Sequence, residues 1–351
     1  MTIIQNLKMD KTATIKDIAR QLHISTSTVS RAMRGQPDVS IETKNAVLAL
    51  AKELEYQPNR MALSLQSKHS QTIGVLVPNL DYFFATAIKG IDEMALEAGY
   101  TVMVCQSNES YGREVINTKR MMESFVDGLI ISVSSETKSV AHFQKLQEKG
   151  IPLVFFDRDI SGLKVPMVVL NNYLGGFLAA EHLINQGCKR IAFLGGPENL
   201  SISNKRKEGY LAAIKKYNIR RDNSLIVHCE FNQGYAQVAT EELLRQKKKP
   251  DGIFGISDRI ALGASLAIKE KGLRMPDDIC LIGFNNEPIT KLLFPAISSV
   301  DQPAFEMGKA AAKIFIELVN GHEKANDTTI SLKPSLVIRE SSQKINPVRK
   351  R

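Results

Sequence analysis

Seven short runs of branched and aromatic apolar residues recur along most of the chain, each set off from the next by a stretch of helical periodicity. They read TIGVLVP, YTVMVCQ, DGLIISV and IPLVFFD, then RIAFLGG, DGIFGIS and ICLIGFN. Such runs are too uniformly apolar for strands with one wet face, and far shorter than the roughly 18 residues of a membrane helix. They predict strands buried on both sides and joined by helices, hence an α/β body of parallel sheets with helices on both faces. The scheme occurs twice: Asp127-Gly128 and Asp251-Gly252 each open a strand, and Ile73 and Ile191 each begin one. The body, 71–342, is therefore expected to form two similar lobes, about 71–169 with 303–330, and about 170–298 with 331–342. Strand carboxyl ends should face a cleft between them, where ligands bind in open α/β sheets.

The 351 residues leave room for more than this body. Charge marks where the remainder differs. Of the net +9, residues 1–70 carry +4 and the last eight residues, 344–351, another +4, so the body is nearly neutral. A basic head suggests a polyanionic partner; the tail 343–351 is read as a chain end rather than a second contact. The opening MTIIQNLKMDK has no apolar signal-peptide core, so a cytoplasmic location without a membrane partner is expected. Cys105, Cys188, Cys229 and Cys280 lie far apart with no CxxC, against a disulfide framework or a zinc site. There is no GxSxG, P-loop or HExxH, so neither an enzymatic activity nor a cofactor is expected. Gly195-Gly196-Pro197 lacks the spacing and lysine of a phosphate loop and reads as a tight strand-to-helix turn.

Within the head, 1–58, three short helices are predicted. Ile15, Ile18, Ala19 and Leu22 form one apolar stripe behind the N-cap Thr14. His23-Ile24-Ser25 breaks that pattern, and Ser25 caps a second helix from Thr26 to about Arg34. Val29 and Met33 of that helix face inward; its other side carries Thr26, Ser27, Ser30, Arg31 and Arg34. Gly35-Gln36-Pro37 ends it, and a third helix after Ser40 buries Val47, Leu50, Ala51 and Leu54. Two helices joined by a tight turn and braced by a third form a helix-turn-helix. Short side chains at the start of its second helix let the backbone approach a DNA major groove, and an arginine one turn on can grip guanine O6 and N7. A plain three-helix bundle with one polar face has the same spacing.

The string TIKDIARQLHISTSTVSRAMRGQPDVSIETKNAVLALAKELEYQPNRMALSL resembles the head of the lactose-repressor (LacI/GalR) family of bacterial transcriptional regulators, over about fifty unbroken positions. The resemblance implies that Thr26 and Ser27 read bases, that Arg31 contacts guanine, and that Ser25, Thr28 and Ser30 lie near phosphates. With Thr14, and with Asn59 and Arg60 in the hinge, these are the candidate DNA-contacting residues. His23 stands where the turn commonly holds glycine. The hinge and linker, 59–70, reads Ala62-Leu63-Ser64-Leu65 where a basic residue is usual, leaving Arg60 to replace it. A helix over 60–66 is too short to stand alone. In the family, the counterpart of Leu65 wedges into the minor groove; a linker whose leucines pack on the body is the plainer alternative.

The body resembles the same family's two-lobed, periplasmic-binding-protein-like effector domain, in which aromatic rings stack on sugar rings and charged or amide groups take hydroxyls. Carried onto this chain, the resemblance offers Phe83, Phe84 and Phe231 as rings, and Asp157, Arg158, Arg206, Asn285 and Gln302 as polar anchors. Asp81, Ser132, Ser257 and Asp258 complete the candidate effector set. The expected protein is a homodimeric regulator, most simply a repressor, that binds a near-palindromic double-stranded operator under control of a small carbohydrate-class effector. A co-repressor ligand, transcriptional activation, or a solute-binding receptor without a DNA role remain alternatives.

Overall fold

The computed structural model describes residues 13–56, 69–321 and 328–344. The expectations at Asn59, Arg60 and Leu65, and most of the basic tail, lie outside the described residues.

In the head, helix α1 spans Ile15–Gln21, α2 Thr26–Met33 and α3 Ile41–Glu53. Each starts where a short polar side chain satisfies otherwise orphaned backbone groups. The Thr14 N–H and hydroxyl both donate to the Asp17 carboxylate, at 2.9 and 2.6 Å. Ser25 Oγ accepts the Thr28 N–H at 3.0 Å, and Ser40 Oγ accepts that of Thr43 at 3.2 Å. Ile18, Val29 and Val47, one from each helix, are completely buried and form the centre of the head's own core. His23 takes the left-handed conformation the turn demands, φ 53°, a region where histidine is tolerated better than most residues.

The body's elements follow in sequence as β1 (Thr72–Val77), α4 (Tyr82–Glu97), β2 (Thr101–Gln106), α5 (Tyr111–Glu123), β3 (Gly128–Ile131), α6 (Ala141–Glu148), β4 (Leu153–Phe156) and β5 (Met167–Leu170). Next come α7 (Asn172–Asn185), β6 (Ile191–Gly195), α8 (Ser201–Lys216), β7 (Ile226–His228), α9 (Gln233–Arg245), β8 (Gly252–Gly255), α10 (Asp258–Glu270), β9 (Cys280–Asn285) and the short α11 (Ile289–Leu292). The last are β10 (Ser298–Asp301), α12 (Ala304–Val319), β11 (Thr329–Leu332) and β12 (Ser335–Val337). One sheet has the order β11-β5-β4-β3-β1-β2, the other β12-β10-β9-β8-β6-β7. All pairings are parallel except that of β10 with the edge strand β12.

The repeat read from the sequence is thus a repeat of topology, with the order reversing between β1 and β3 in one lobe and between β6 and β8 in the other. In the first lobe, period-two alternation splits the central strands between two cores. Ile73, Val75 and Val77 of β1 face the side of α4 and α12, whereas Leu76 joins Leu129, Phe155 and Met121 on the other face. The chain passes between lobes at three places: Leu170 to Asn172, Asp301 to Ala304, and Leu332 to Ser335. Two of these lie slightly later than the sequence reading set them. Leu170 and Leu332 pair with each other in the first sheet, so the ladder, and not the composition of the loops, ends the lobe.

Helices on the sheets cross at glycines. A Cβ on Gly90 would lie 2.1 Å from the Phe305 carbonyl oxygen, and one on Gly308 1.9 Å from that of Ala87, so α4 and α12 touch backbone to backbone. Gly176 and Gly209 do the same for α7 and α8, with Cβ positions 2.1 Å from the Arg206 oxygen and 2.0 Å from the Tyr173 oxygen. The small residues of α4 are therefore used inside its own lobe. Gly209→Ala is expected to force α7 and α8 apart, at a cost of roughly 1–3 kcal/mol and a fall of a few degrees in Tm. A thermal melt within about a degree of the wild type would show that this crossing opens freely.

Candidate functional site

On the head, Thr26, Ser27 and Arg31 lie exposed along one side of α2, while Thr28 and Ser30 are half-buried beside them. The serine and threonine hydroxyls at its start are mutually bonded, Ser25 Oγ to Ser27 Oγ at 2.6 Å and to Thr28 Oγ1 at 2.8 Å. Arg31 Nη1 donates to Asp38 Oδ2 at 2.6 Å. That pair is about half exposed on both sides, and exposed pairs contribute little, so the guanidinium can exchange Asp38 for another acceptor. Thr14 is tied to Asp17 at the start of α1.

The body's main cleft lies at the strand carboxyl ends of both sheets. It encloses a cavity of about 180 Å³ lined by Asp81, Phe83, Phe84, Asp157, Arg158, Arg206, Phe231, Ser257, Asn285 and Gln302. These ten sequence candidates come from both lobes, with Gln302 in one of the three passages between them. Phe83 and Phe84 stand edge to face, 5.0 Å apart and inclined by 78°. Phe231 comes from the other lobe. Its ring occupies space that a Cβ on Gly196 would take, at 2.8 Å, which gives the Gly195-Gly196-Pro197 turn its reason.

The polar floor is a chain of buried charges. Arg206, 2 % exposed, donates from Nε to Asn172 Oδ1 at 2.8 Å, from Nη1 to the Ile256 carbonyl at 2.6 Å, and from Nη2 to Gln302 Oε1 at 3.1 Å. Its guanidinium stacks 3.6 Å from the Phe284 ring centre. Burial lowers its pKa to about 10, against the pull of Asp157 and Asp258. Gln302 Nε2 in turn donates to Asp157 Oδ1 at 2.7 Å. Asp157 is held above the usual carboxylate range by burial, opposed by Arg158 and Arg206. Arg158 is gripped bidentately by Glu109, at 2.7 Å on each oxygen, and by the Val133 carbonyl at 2.9 Å. Burial tends to raise the Glu109 carboxyl, but the bonds from Arg158 and Ser135 outweigh it and leave the pKa low.

Backbone strain gathers at the same place. Glu109, Asp157 and Asn285 have φ of 60°, 63° and 105°, and Asn108 and Asn286 beside them are also left-handed. Side chains in that region cost about 1–3 kcal/mol each and tend to persist at ligand sites. Two ion pairs close the cleft from lobe to lobe, Arg259 to Asp81 at 2.8 Å and Lys205 to Asp159 at 2.6 Å.

Two candidates do not line this cavity. Ser132 is buried in the first lobe, its N–H bonded to the Leu76 carbonyl. Asp258, 1 % exposed, turns away from the cleft: its oxygens accept the Ser299 hydroxyl at 2.7 Å and the Glu287 N–H at 2.6 Å. The N-cap Ser257 faces the cavity, and the next residue, in the first turn of α10, necessarily points elsewhere. Five further residues line it: Asn79, Glu109, Ile202, Arg259 and Glu287. Glu109 was within reach of the sequence, because it follows the carboxyl end of β2 as Asp157 follows β4. Arg259 and Glu287 carry no such signal. Among the described residues, no group of His, Cys, Asp and Glu could hold a metal ion, and no helix is long and apolar enough to cross a membrane.

Comparison with known proteins places these features together. Residues 14–59 match the family model for bacterial regulatory proteins of the lacI family, and residues 180–342 that for the periplasmic binding protein-like domain. The chain is similar to the ribose operon repressor of Halalkalibacterium halodurans, 33% identical over 332 residues that cover 94% of this chain and 97% of the relative. It is similar to the transcriptional repressor PurR of Vibrio vulnificus, 30% identical over 336 residues, covering 95% of this chain and 100% of the relative. Among solved structures, the transcriptional regulator CelR–cellobiose complex superposes with a TM-score of 0.71 at 27% identity over 94% of this chain and 99% of that one. The lac repressor dimer bound to operator and the anti-inducer ONPF shares the fold, with a TM-score of 0.85 at 24% identity over 95% of this chain and 100% of that one.

Asp258 supplies a pH signature. Burial pushes its carboxyl up to about 8, the bonds from Ser299 and Glu287 opposing. Unfolded, it releases its proton near pH 4; folded, it keeps it to about pH 8. The folded state binds the extra proton between those values, so this group's contribution to stability falls as pH rises from about 4 to about 8 and is level above. Asp258→Asn should remove that slope, making the variant gain on the wild type from pH 5 to pH 8 in urea titrations. A stability difference that stays constant with pH would contradict the assignment.

Proposed function

The chain belongs to the LacI family of bacterial regulatory proteins, and from this we propose that it is a dimeric transcriptional repressor whose hold on DNA is set by a carbohydrate-class ligand in the cleft. The observation that carries the ligand half is the cavity's composition. Rings from both lobes face a floor of charged and amide groups, the pairing that suits the apolar faces and hydroxyl edges of a sugar. A relative named as a ribose operon repressor, and a neighbour in complex with cellobiose, support a sugar as the ligand class. The effector contacts in this reading are the ten candidate residues that line the cavity, with Glu109 and Arg259 as additions.

The DNA half rests on α2. Thr26 and Ser27 read base edges, Arg31 takes guanine after leaving Asp38, and Ser25, Thr28 and Ser30 approach phosphates. The head starts at Thr14. The hinge residues Asn59, Arg60 and Leu65 add backbone and minor-groove contacts. Two heads per dimer read the halves of a near-palindromic operator. The protein acts where the chromosome is, in the cytoplasm, and binds its ligand without turning it over. A ligand that prefers one arrangement of the lobes shifts DNA affinity by its differential affinity for the two arrangements. A coupling of about 1–3 kcal/mol changes operator binding about 5- to 150-fold.

Selection of genomic fragments by the purified full chain, with candidate sugars added and omitted, tests the whole reading; no preferred fragment under either condition would overturn it. On a selected operator, Arg31→Ala should weaken binding by roughly tenfold or more at fixed salt and leave ligand affinity unchanged. Arg206→Ala and the milder Phe231→Leu should keep operator binding and blunt the ligand response. Wild-type ligand affinity by calorimetry in both would remove these residues from the site.

A further inference from the structure

The body's nearly neutral total conceals two unlike ends. In the second sheet β9, β8, β6 and β7 lie side by side and parallel, so the segments that lead into them meet at the end of the lobe away from the cleft. Three of these segments are basic: Lys189-Arg190 before β6, Arg220-Arg221 before β7 and Lys247-Lys248-Lys249 before β8. They are stitched to one another. Arg190 donates from Nη1 to Asp222 Oδ2 at 2.9 Å and from Nη2 to the Lys248 carbonyl at 3.0 Å. The Asp251 carboxylate accepts the backbone N–H groups of Lys189 and Arg190, at 2.9 and 2.8 Å. Lys344 is brought to the same end, its N–H donating to Gln186 Oε1 at 3.0 Å.

Three features separate this end from an ordinary charged surface. The acids beside it are already used: Asp222 answers Arg190 and the Ser224 N–H and hydroxyl, and Asp251 answers backbone groups. The exposed cations Lys189, Arg220, Arg221 and Lys247 to Lys249 have no ion pair among the described residues. Basic residues inside the neighbouring helix ends are a different case. Lys216 pairs with Glu181 and Arg245 with Glu241, and the helix dipole favours cations in a last turn; the six exposed ones lie beyond the helices. Next, no large apolar side chain is exposed along 186–190, 218–225 or 246–251. Protein interfaces are poor in lysine and centre on aromatic or apolar anchors, so cations without anchors suit the phosphate backbone of a nucleic acid, which is held by charge. Finally, strands stand about 4.8 Å apart, so the three adjacent segments extend across about 10 Å, comparable with the roughly 12 Å between the phosphate rails of a major groove.

We propose that this end of the second lobe is a second, sequence-independent binding surface for duplex DNA, separate from the helix-turn-helix. It takes from the repressor reading only that chromosomal duplex is at hand. The head reads sequence, this end grips phosphates, and one molecule holds two duplex segments. With one segment held by the head, neighbouring DNA meets the second surface at a raised effective concentration, so contacts that are weak singly suffice.

The test titrates the full chain with a labelled duplex of unrelated sequence, alone and after its heads are loaded with stoichiometric operator. The operator-loaded wild type should still bind the unrelated duplex, and with about four phosphates engaged that binding should fall roughly a hundredfold between about 50 and 200 mM salt. The triple variant Lys247→Glu, Lys248→Glu and Lys249→Glu should weaken it roughly tenfold or more and leave operator affinity unchanged. Arg220→Glu with Arg221→Glu, on the adjacent segment, should do the same, which separates a shared surface from a local fault in one variant. An operator-loaded wild type that binds no second duplex overturns the proposal. So does second-duplex binding that both variants retain, because the heads would then be holding it. Phosphatidylserine vesicles that displace the duplex at equal phosphate concentration would make a lipid surface the partner and overturn it as well. Should no operator be found, the repressor reading fails by itself. The unloaded chain then decides this surface: its salt slope on unrelated duplex falls in both variants, or the proposal is wrong.

Discussion

The cleft floor is ordered around one buried cation. Taking a guanidinium out of water costs several kcal/mol unless every N–H and the charge are answered, and Arg206 is answered from four directions. Asn172 at the start of α7, the Ile256 carbonyl at the end of β8, the Phe284 ring on β9 and Gln302 in a passage between lobes all converge on it. Gln302 carries the connection onward to Asp157 in the other lobe. Removing one of its hydrogen-bond partners would leave a buried N–H unanswered at a cost of about 1–3 kcal/mol, so the cleft floor has little freedom to rearrange. A ligand meets groups whose positions are already determined by each other.

What moves lies elsewhere. Each lobe is tied internally by helices that touch backbone to backbone at Gly90, Gly308, Gly176 and Gly209, contacts that tolerate almost no sliding. Between the lobes, by contrast, the ion pairs are partly exposed, with side chains 48% and 41% accessible for Arg259–Asp81 and 44% and 26% for Lys205–Asp159. Pairs of that kind contribute about 0–1 kcal/mol. Rigid lobes, three short connections and weak pairs across the opening leave the buried Gln302–Asp157 bond as the firmest tie from lobe to lobe, so a ligand that touches this bond acts where the two arrangements would differ most.

The chain's layout was legible because it is imposed by burial. Strands covered on both faces must be continuously apolar, and the run-and-helix repeat follows from that. The ten correctly gathered cleft residues share another simple origin: nearly all follow the carboxyl end of a strand or sit in a passage between lobes. The failures mark where that rule stops. Asp258 follows β8 one residue after Ser257, and one step along a helix's first turn rotates a side chain by about 100°, so its carboxylate accepts the Glu287 N–H instead. Ser132 lies at the end of β3, where strand alternation turns it inward. Arg259 reaches the cleft only because Asp81 stands across it, a pairing of two lobes that no local pattern encodes. The glycine crossings were equally hidden, since an isolated glycine in a helix does not say what approaches it.

The strained residues connect these levels. Glu109, Asp157 and Asn285 hold left-handed backbone just past or at the ends of β2, β4 and β9. Glu109 is clamped on Arg158 and Asp157 receives Gln302 through their side chains, and Asn285 is held through its backbone in the ladder of β9 with β10. The tertiary bonds that over-determine these conformations are those that order the cleft. Strain and preorganisation are therefore the same arrangement seen from backbone and side chain. Because the site is ordered before the ligand arrives, the ligand's binding energy need not be spent on assembling it. More of that energy is available to favour one arrangement of the lobes over the other, the only form in which a small molecule can influence a distant DNA-binding head.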